Sequence, residues 1–491
     1  MIDSIRREWA SSEPEKARIL LRRNWLRLII ESHTYELERL CVTAPDPHDP
    51  HVLLIRACCR DLAGDSYGAE YLRGQGLRVA ADDFVACFTD LLLAPDAETK
   101  AAVADRAHHA LSQCAVDDDY SSALFLLGWA EVRLRRDFAR AIALLRSAVA
   151  EAHLRERPET RRLAQSNLAF ALTHAGLFTE AERVLSDLPS TPVPSDWDRY
   201  EGGLPEANRG CIAYWRGDFD KALALLEPVI REDNPGNNFE ALARLYYVMS
   251  VIALERDDRY YLAARLLQGI GQTDRHGIPW DILRRVVSAR LAHAQGDNER
   301  ARAIAAPALT RTGAAVAHAV LAELYRAIDE PALSGQAFRL AAAAGMPRYA
   351  RVSTFVTSAG LHSAAGRGEH AHAQLEHALE AAVTESVFAP FLVDDPVIAD
   401  LLSAHAHWGS NHQEFLHAVL TNRGLHATVL DGVFTEREKD VLACLRTTMT
   451  AAEIANHLGI AYPTVKTHIR SIYRKLGVAS RRDAVHATSD N

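Results

Sequence analysis

The chain of 491 residues is poor in the features that hold small secreted or membrane proteins together. Its seven cysteines are an odd number without a CxxC pair, so the sequence signals neither a disulfide framework nor a zinc ribbon. No apolar run approaches the length of a membrane span, and Met1-Ile2-Asp3-Ser4 does not begin a signal peptide. We therefore expect the cysteines to be small core residues of a protein in a reducing compartment. We also expect a cytoplasmic location and no membrane partner.

Motifs that carry catalysis or bind cofactors are also missing. The chain has no GxxxxGK[ST], GxSxG, HExxH or EF-hand pattern. Histidine is plentiful, with 22 copies, but its clusters at 370–377 and 405–417 follow steps of two and five. Those steps do not match the i, i+4 spacing that places two metal ligands on one helix face. We expect no enzyme activity, no catalytic residues, no cofactor and no metal site.

The length and composition of the chain favour a protein of several helical domains. The length exceeds what one hydrophobic core supports. Aromatic residues make up only 7% of the chain and alanine is abundant, which favours closely packed helices over sheets. The net charge of −9 is uneven, because residues from 434 onward hold 9 Lys and Arg against 6 Asp and Glu, leaving 46 against 58 upstream. A mildly basic end on an acidic body fits an end that binds nucleic acid.

A short phrase recurs through the first 400 residues: a small residue, Asp, an aromatic residue soon after, then Ala. Between 136 and 296 its copies start at steps of 40, 41, 39 and 40 residues, a fixed period that is typical of helical repeats. Degraded copies are expected near Pro95-Asp96 and Asp329-Glu330-Pro331. The clearer copies start at Gly64, Arg136, Gly176, Gly217, Gly296 and Gly366, and a weaker copy starts at Arg256.

The phrase predicts a turn between two helices. Gly ends the first helix of a pair because the chain must turn with a positive φ. Asp caps the second helix by accepting hydrogen bonds from its free amides. The phrase resembles tetratricopeptide repeats, lengthened from the usual 34 residues to about 40.

A second resemblance covers the same region. Residues 25–65 and the stretch Pro390-Phe391-Leu392-Val393-Asp394 are similar to the helical-repeat region of large MalT-like bacterial regulators. The resemblance implies an effector, a small molecule or a protein, on the concave face of the repeats. Those regulators carry an N-terminal ATPase module. Without GxxxxGK[ST], we do not extend ATP binding to this chain.

The last sixty or so residues carry signals for the starts of helices. Thr435 with Glu438, and Thr450 with Glu453, have the spacing of a capping box, in which a Thr hydroxyl accepts from the amide three residues on. They predict helices that begin after each Thr, the second of which ends at Gly459.

A third helix is predicted from about Pro463 to Lys475, since proline suits a first helical turn. Apolar residues at i, i+4, i+7 and i+11 predict its buried face. The polar residues between them then face away from the core, toward a major groove. The buried residues are Val465, Ile469, Ile472 and Leu476, and the outward ones are Lys466, Thr467, Arg470 and Arg474.

This segment resembles the LuxR/GerE-type helix-turn-helix. Residues 434–442 are similar to the family's opening pattern Leu-Thr-x-Arg-Glu-x-x-Val-Leu, with Phe434 in place of the first Leu, and Leu476-Gly477-Val478 with Arg481 fits its close. Three alanines depart from the family: Ala451 and Ala452 replace a pair that often contacts phosphate, and Ala461 replaces a capping Ser. The resemblance implies a four-helix DNA-binding domain whose final helix, residues 481–487, serves for dimer contact.

The chemistry of the outward residues suggests individual DNA contacts. We expect Lys466, Thr467 and Arg470 to read bases, because Lys and Arg donate to guanine O6 and N7 and a Thr methyl can rest on a thymine methyl. Phosphate contacts fix register without reading sequence. For these we expect Thr450, Thr464, Arg474 and Lys475.

Together these features predict an all-α protein, a tetratricopeptide-like α-solenoid followed by a four-helix LuxR-type head. The expected division is repeats over 1–408, a linker or docked helix over 409–430 and the head over 431–491. We expect a transcriptional regulator that binds double-stranded DNA as a homodimer, responds to an effector through the repeats and has RNA polymerase as a further partner. The alternative is a repeat scaffold or anti-activator whose head binds protein instead of DNA.

Overall fold

In the part of the chain that the structure describes, the fold consists of helices. The computed structural model describes residues 1–10, 14–76, 83–94, 96–113, 119–134, 137–188, 205–231, 240–270, 280–343, 346–423, 436–447, 449–476, 478 and 480–486. Within these ranges all regular secondary structure is helical and no strand occurs. No helix in the same ranges is both long and apolar enough to cross a membrane. The predicted all-α fold class is confirmed.

The α-helices are α1 Ile2–Trp9, α2 Pro14–Ile30, α3 Thr34–Val42, α4 Pro50–Leu62, α5 Ser66–Gly76, α6 Phe84–Leu93, α7 Ala97–Gln113, α8 Tyr120–Leu134, α9 Phe138–Leu154, α10 Pro158–Ala175, α11 Phe178–Ser186, α12 Pro205–Trp215, α13 Phe219–Arg231, α14 Glu240–Ala253, α15 Tyr260–Gln268, α16 Trp280–Ala294, α17 Asn298–Ala305, α18 Ala315–Ala327, α19 Pro331–Ala343, α20 Arg348–Ala364, α21 Gly368–Val383, α22 Pro396–Trp408, α23 Gln413–Asn422, α24 Glu436–Leu445, α25 Ala451–Leu458, α26 Tyr462–Leu476 and α27 Arg481–His486. Single 3-10 turns occupy Asp257–Arg259, Ala306–Thr310 and Ala389–Phe391.

From α4 to α21 the helices form successive pairs. The two members of a pair pack against each other, as α4 does with α5, α8 with α9, α10 with α11, α16 with α17, and α20 with α21. In α18 and α19 the contact includes a hydrogen bond of 2.7 Å from the buried Ser334 hydroxyl to the Ala322 carbonyl. The tetratricopeptide-like repeat that the period predicts is confirmed by this pairing.

The turns inside the pairs have the predicted backbone. The phrase glycines have φ between 69° and 89°, in the left-handed region that favours glycine: Gly64, Gly176, Gly217, Gly296 and Gly366. Two copies without glycine adopt the same conformation, at Glu255 with φ 51° and Asp329 with φ 58°. Asp329 lies just before α19, so the degraded copy expected there is confirmed.

The phrase aspartates cap the helices that follow. Oδ1 accepts from the backbone amide three residues on, at distances of 2.7 to 3.2 Å. Each bond satisfies an amide that has no partner within its own helix. Asp96 belongs to this set, which confirms the copy expected near Pro95. The capping residues are Asp65, Asp96, Asp137, Asp218 and Asp297.

The chain packs as two compact units. One comprises residues 1–214 and 218–317, and the other comprises 215–217 and 318–491. The large side chains buried in the first include Trp25, Trp129 and Phe88, and those in the second include Tyr325 and Phe391. This division follows packing and does not test the three-part division expected from resemblance, which stays a prediction.

The cysteines behave as small core residues. Cys41, Cys58, Cys59, Cys87, Cys211 and Cys444 are buried and free. Burial raises the pKa of the Cys41 and Cys211 thiols to about 12, so both stay protonated and unreactive at neutral pH. The predicted role as core residues is confirmed for these six, while Cys114 lies outside the described residues.

A short helix precedes the head within the second unit. α23 packs against α21 and α22 and buries its apolar residues Phe415, Leu416, Val419 and Leu420. At its end, the Arg423 guanidinium donates hydrogen bonds of 2.5 and 2.7 Å to the carbonyls of Phe391 and Val393. These bonds fix the residue after α23 to the Pro390–Asp394 stretch. The segment from Gln413 to Arg423 is thus helical and packed.

Candidate nucleic-acid interface

The head has a hydrophobic core of its own. Buried apolar side chains from α24, α25 and α26 form one cluster, and Val441, Ile454, Val465 and Ile472 within it are fully buried. Met449 and Ile460, from the connections on either side of α25, pack against it. Burial of this size lets a short three-helix segment hold its helices at fixed angles.

The helix that enters the turn starts with the predicted capping box. The Glu453 amide donates to the Thr450 hydroxyl over 3.4 Å, and the Thr450 amide donates to the Glu453 carboxylate over 2.7 Å. The bond from the Thr450 amide, followed by that from its hydroxyl, lowers the pKa of Glu453. The box at Thr450 is confirmed. That at Thr435 lies outside the described residues, although Glu438, its expected partner, is buried.

The turn between α25 and α26 depends on one glycine. Gly459 has φ 63° and ψ 36°, the left-handed conformation that commonly ends a helix, and its amide bonds the Ala455 carbonyl. The Ile460 amide also donates a hydrogen bond of 3.1 Å to the Ala455 carbonyl. The predicted end of the second helix is confirmed, and the chain is redirected into α26 within three residues.

The third helix of the head, α26, begins and ends within one residue of the prediction. It runs from Tyr462 to Leu476, and its first turn contains Pro463. Val465 and Ile472 are fully buried and Ile469 is partly buried, so these three lie on the predicted inner face. The side chain of Leu476 lies outside the described residues.

The outer face of this helix carries the predicted base-reading residues. Lys466, Thr467 and Arg470 are exposed. The Thr467 hydroxyl donates to the Pro463 carbonyl over 3.0 Å, so its proton is used within the helix and its methyl is the group left for an apolar contact. Lys466 and Arg470 stand four residues apart, one turn along the same face.

The predicted phosphate-contacting residues differ in their surroundings. Thr464 is exposed in the first turn of α26, where free amides and the helix dipole favour anions. The Thr450 hydroxyl is exposed but donates to the Glu453 carboxylate over 2.9 Å, so contact with a phosphate requires its proton to change partners. The side chains of Arg474 and Lys475 lie outside the described residues.

An aromatic residue that sequence reasoning missed borders the basic face. Tyr462, the first residue of α26, is 44% exposed. The Lys466 ammonium lies 5.0 Å from the centroid of its ring, within the range of a cation–π contact. The signal was available, because an aromatic residue four positions before a lysine lies on the same helix face.

Arg481, from α27, binds the connection between α24 and α25. Its guanidinium donates to the carbonyls of Leu445 at 3.0 Å, Thr447 at 2.6 Å and Cys444 at 3.4 Å, and also to that of Met449. These acceptors include the carbonyls at the end of α24, which have no partner within their own helix. The first residue of the final helix therefore stabilises its own domain.

The histidine clusters form a network that the sequence spacing does not reveal. The Nδ1 atoms of His372 and His405, both buried, lie 2.9 Å apart, and His405 Nε2 lies 2.9 Å from the Glu376 carboxylate. The exposed Trp408 stacks on the His372 ring with centroids 3.9 Å apart. Desolvation, followed by repulsion from His405, lowers the pKa of His372. Among the described residues no group of three His, Cys, Asp or Glu is arranged to hold a metal ion.

The arrangement of α24 to α27 is that of a helix-turn-helix domain: a capped helix, a left-handed glycine turn and a second helix with a basic outer face. Residues 432–488 match the family described as "Bacterial regulatory proteins, luxR family". This segment is a LuxR-type helix-turn-helix domain, as the sequence predicted.

Similar proteins agree on this end of the chain. The "HTH-type transcriptional regulator MalT" of Yersinia pestis (strain Pestoides F) is 36% identical over 90 residues, which cover 18% of this chain and 10% of the relative. MalT of Yersinia enterocolitica serotype O:8 / biotype 1B matches with the same identity and coverage. The match thus spans about a tenth of the length of these relatives.

Among solved structures, one chain of "Crystal structure of APC/C hetero-tetramer Cut9-Hcn1" is similar at a TM-score of 0.47 and 13% identity, over 99% of this chain and 89% of that one. The score is too low to carry an argument. The repeat architecture therefore rests on the helix pairs, turns and caps of this chain.

Proposed function

We propose that this protein is a transcriptional regulator whose C-terminal head binds double-stranded DNA in a sequence-specific manner. The observation that carries the proposal is the LuxR-type domain at residues 432–488, with Lys466 and Arg470 exposed on the recognition helix. The relatives matched over this end of the chain are HTH-type transcriptional regulators.

The exposed face has the chemistry that base reading requires. Lys and Arg side chains donate to guanine O6 and N7 in the major groove, which is wide enough to admit an α-helix. Val465 and Ile472 hold the opposite face of α26 in the core, so the basic face is the one available to DNA. Thr467, with its hydroxyl bonded to the helix, offers a methyl to a thymine.

Phosphate contacts would fix the head on the duplex. Thr464 lies at the start of α26, where backbone and hydroxyl donors suit a phosphate, and Arg474 and Lys475 lie near its end. Thr450 would take part only if its hydroxyl exchanged the Glu453 carboxylate for a phosphate oxygen. Ala451 and Ala452 add no hydrogen-bonding side chain beside it. We expect these contacts to set affinity and salt dependence and the outward face of α26 to set sequence preference.

The rest of the chain would control the head. We propose that the helix pairs bind an effector, a small molecule or a protein, and that binding shifts the fraction of molecules whose head is competent for DNA. A homodimer would place two heads on two half-sites of an operator, and RNA polymerase is the further partner expected of such a regulator. α23, which lies after the repeats and packs on α21 and α22, is the described element closest in sequence to the start of the head.

Replacement of both basic residues tests the proposal. Duplexes selected from a random-sequence pool by the full chain serve as the probe, and the variant is Lys466→Ala with Arg470→Ala. Each lost base contact costs about 1–3 kcal/mol, so we expect the dissociation constant to rise at least about 30-fold. Arg146→Ala with Arg256→Ala, two exposed arginines of the repeats, is the control with the same change of net charge.

The control variant should bind DNA as the wild type does, and thermal unfolding should show that both variants are folded. Equal DNA retention by the wild type and the Lys466/Arg470 variant across salt concentrations would contradict the proposal. That outcome would favour the alternative, a repeat scaffold or anti-activator whose head binds protein.

A further inference from the structure

Along α26, the proposed base-reading residue Lys466 has an aromatic neighbour and no acidic one three or four positions away. Tyr462 and Lys466 are one helical turn apart, and the Lys466 ammonium lies 5.0 Å from the Tyr462 ring centroid. The residues three and four positions from Lys466 along the helix are Tyr462, Pro463, Ile469 and Arg470, none of which is acidic. The tyrosine ring is therefore the neighbour on α26 that attracts this ammonium.

Tyr462 is not one of the core residues of the head. Its side chain is 44% exposed and lies outside the hydrophobic cluster of the head. The start of α26 is fixed by backbone bonds, since the amides of Thr464 and Val465 donate to the Ala461 carbonyl over 2.9 and 3.2 Å. An exposed aromatic ring beside a proposed DNA-reading residue is placed where it can act at the surface that meets DNA.

Lysine benefits from such a neighbour more than arginine does. Its ammonium is a point charge on a flexible four-carbon stem, so a lysine free in solvent loses side-chain entropy when it engages a base. A ring that already holds the ammonium reduces that loss on binding. It leaves the N–H donors that point away from the ring available to acceptors such as guanine O6 and N7.

We propose that Tyr462 is a positioning residue for DNA recognition, whose ring holds the Lys466 ammonium on the outward face of α26 before DNA binds. The inference rests on the proposed function and adds a fourth residue to the predicted reading set Lys466, Thr467 and Arg470. Tyr462 acts through Lys466 and not through its own hydroxyl. A phenol that donated to a phosphate would be a different role, and the test separates the two.

The test compares Tyr462→Ala, Tyr462→Phe, Lys466→Ala and the double variant Tyr462→Ala/Lys466→Ala in the full chain. The probes are a duplex selected by the wild type from a random pool and a duplex of the same composition in shuffled order. We expect Tyr462→Ala to weaken binding to the selected duplex about three-fold, the factor that an exposed cation–π contact supplies. Binding to the shuffled duplex and the salt dependence should stay unchanged, because no charge is lost.

Two further results are expected. Tyr462→Phe should bind as the wild type does, since a phenyl ring keeps the attractive face. In the Lys466→Ala background, Tyr462→Ala should have no added effect, because the group it positions is gone. Thermal unfolding midpoints should be equal for all four variants.

Three results would overturn the inference while leaving DNA binding intact. The first is wild-type affinity in Tyr462→Ala. The second is a loss of affinity in Tyr462→Phe equal to that in Tyr462→Ala, which would assign the effect to the hydroxyl. The third is a Tyr462→Ala effect of the same size in the Lys466→Ala background as in the wild type. A wild-type chain that selects no duplex at all overturns the proposed function together with this inference.

Discussion

The repeats and the head end helices in the same way but use the resulting surfaces differently. In both, a helix ends at a glycine with positive φ, as at Gly296 and Gly459. Asp297 caps the helix that follows Gly296, whereas Thr450 caps the start of the helix that Gly459 ends. In the repeats the following helix packs against its partner, as α17 does on α16. In the head the following helix, α26, keeps a basic face exposed. The comparison shows why the sequence indicates which kind of partner the head has but does not identify the effector expected on the repeats.

The largest expected effect is on the stability of the head alone. Arg481→Ala removes donors to four backbone carbonyls, and hydrogen bonds from charged groups are the costly ones to lose. We expect the head to lose about 3 kcal/mol of unfolding free energy. Hydrogen exchange should show lower protection in α24 and α25 and unchanged protection in α9 and α10.

Arg437→Ala is the matched control for that change. Arg437 is exposed and makes an ion pair of 3.4 Å with Asp440 three residues on, a pair of a kind worth less than about 1 kcal/mol. Equal protection in the Arg481 and Arg437 variants would show that the final helix does not support the head as described.

A smaller effect tests whether the two kinds of turn are equivalent. A methyl added at Gly296 or at Gly459 meets nothing within 4 Å, so the cost of Ala there is conformational. We expect Gly296→Ala and Gly459→Ala each to lower the unfolding free energy of its own region by about 1 kcal/mol. Chemical denaturation with region-specific hydrogen exchange measures both. A cost at Gly459 several times that at Gly296 would show that the head's turn carries constraints that those in the repeats lack.

The smallest expected effect is the share of the pH dependence that His372 and Glu376 of the second unit contribute. The folded pKa of His372 lies below its ordinary value of 6.5 and that of Glu376 below 4.5. Both groups therefore bind more protons when unfolded, so each contributes stability at neutral pH that is lost as the pH falls. The loss begins near pH 6.5 with His372 and continues below pH 4.5 with Glu376.

The His372→Phe variant should reduce the pH dependence of unfolding between pH 7 and 5, measured by denaturant titration at each pH. Part of the dependence should stay, because the pKa of His362 is also lowered, by desolvation and by the charges of Arg367 and His370. His293→Phe, at a half-buried histidine of the first unit, is the control and should leave the pH dependence as in the wild type. A wild-type stability that rises as the pH falls from 7 to 5 would contradict this account of the His372–His405 contact.

Sequence predicted what depends on neighbours along the chain. The phrase of Gly and Asp predicted both the left-handed turns and the caps, because a cap bond such as that of Asp297 joins residues only three apart. The start of α26 and its inner face followed from helical periodicity and a proline. The Tyr462–Lys466 contact belongs to the same class, and spacing alone could have revealed it.

Contacts between distant residues could not be predicted in this way. Arg481 bonds carbonyls 32 to 37 residues away, and carbonyls carry no residue-specific signal in a sequence. His372 and His405 are 33 residues apart in the sequence and lie on different helices. Their meeting depends on how α21 and α22 pack, which a spacing rule within one helix does not address.

The comparison of the two regions depends on one claim, that the head reads sequence. The most direct measurement is the ratio of the full chain's affinities for a duplex it selects from a random pool and for the same bases in shuffled order, at one physiological salt concentration. For specific recognition we expect a ratio of at least about 1,000. A ratio near one would contradict the claim, because contacts with phosphates alone bind any duplex.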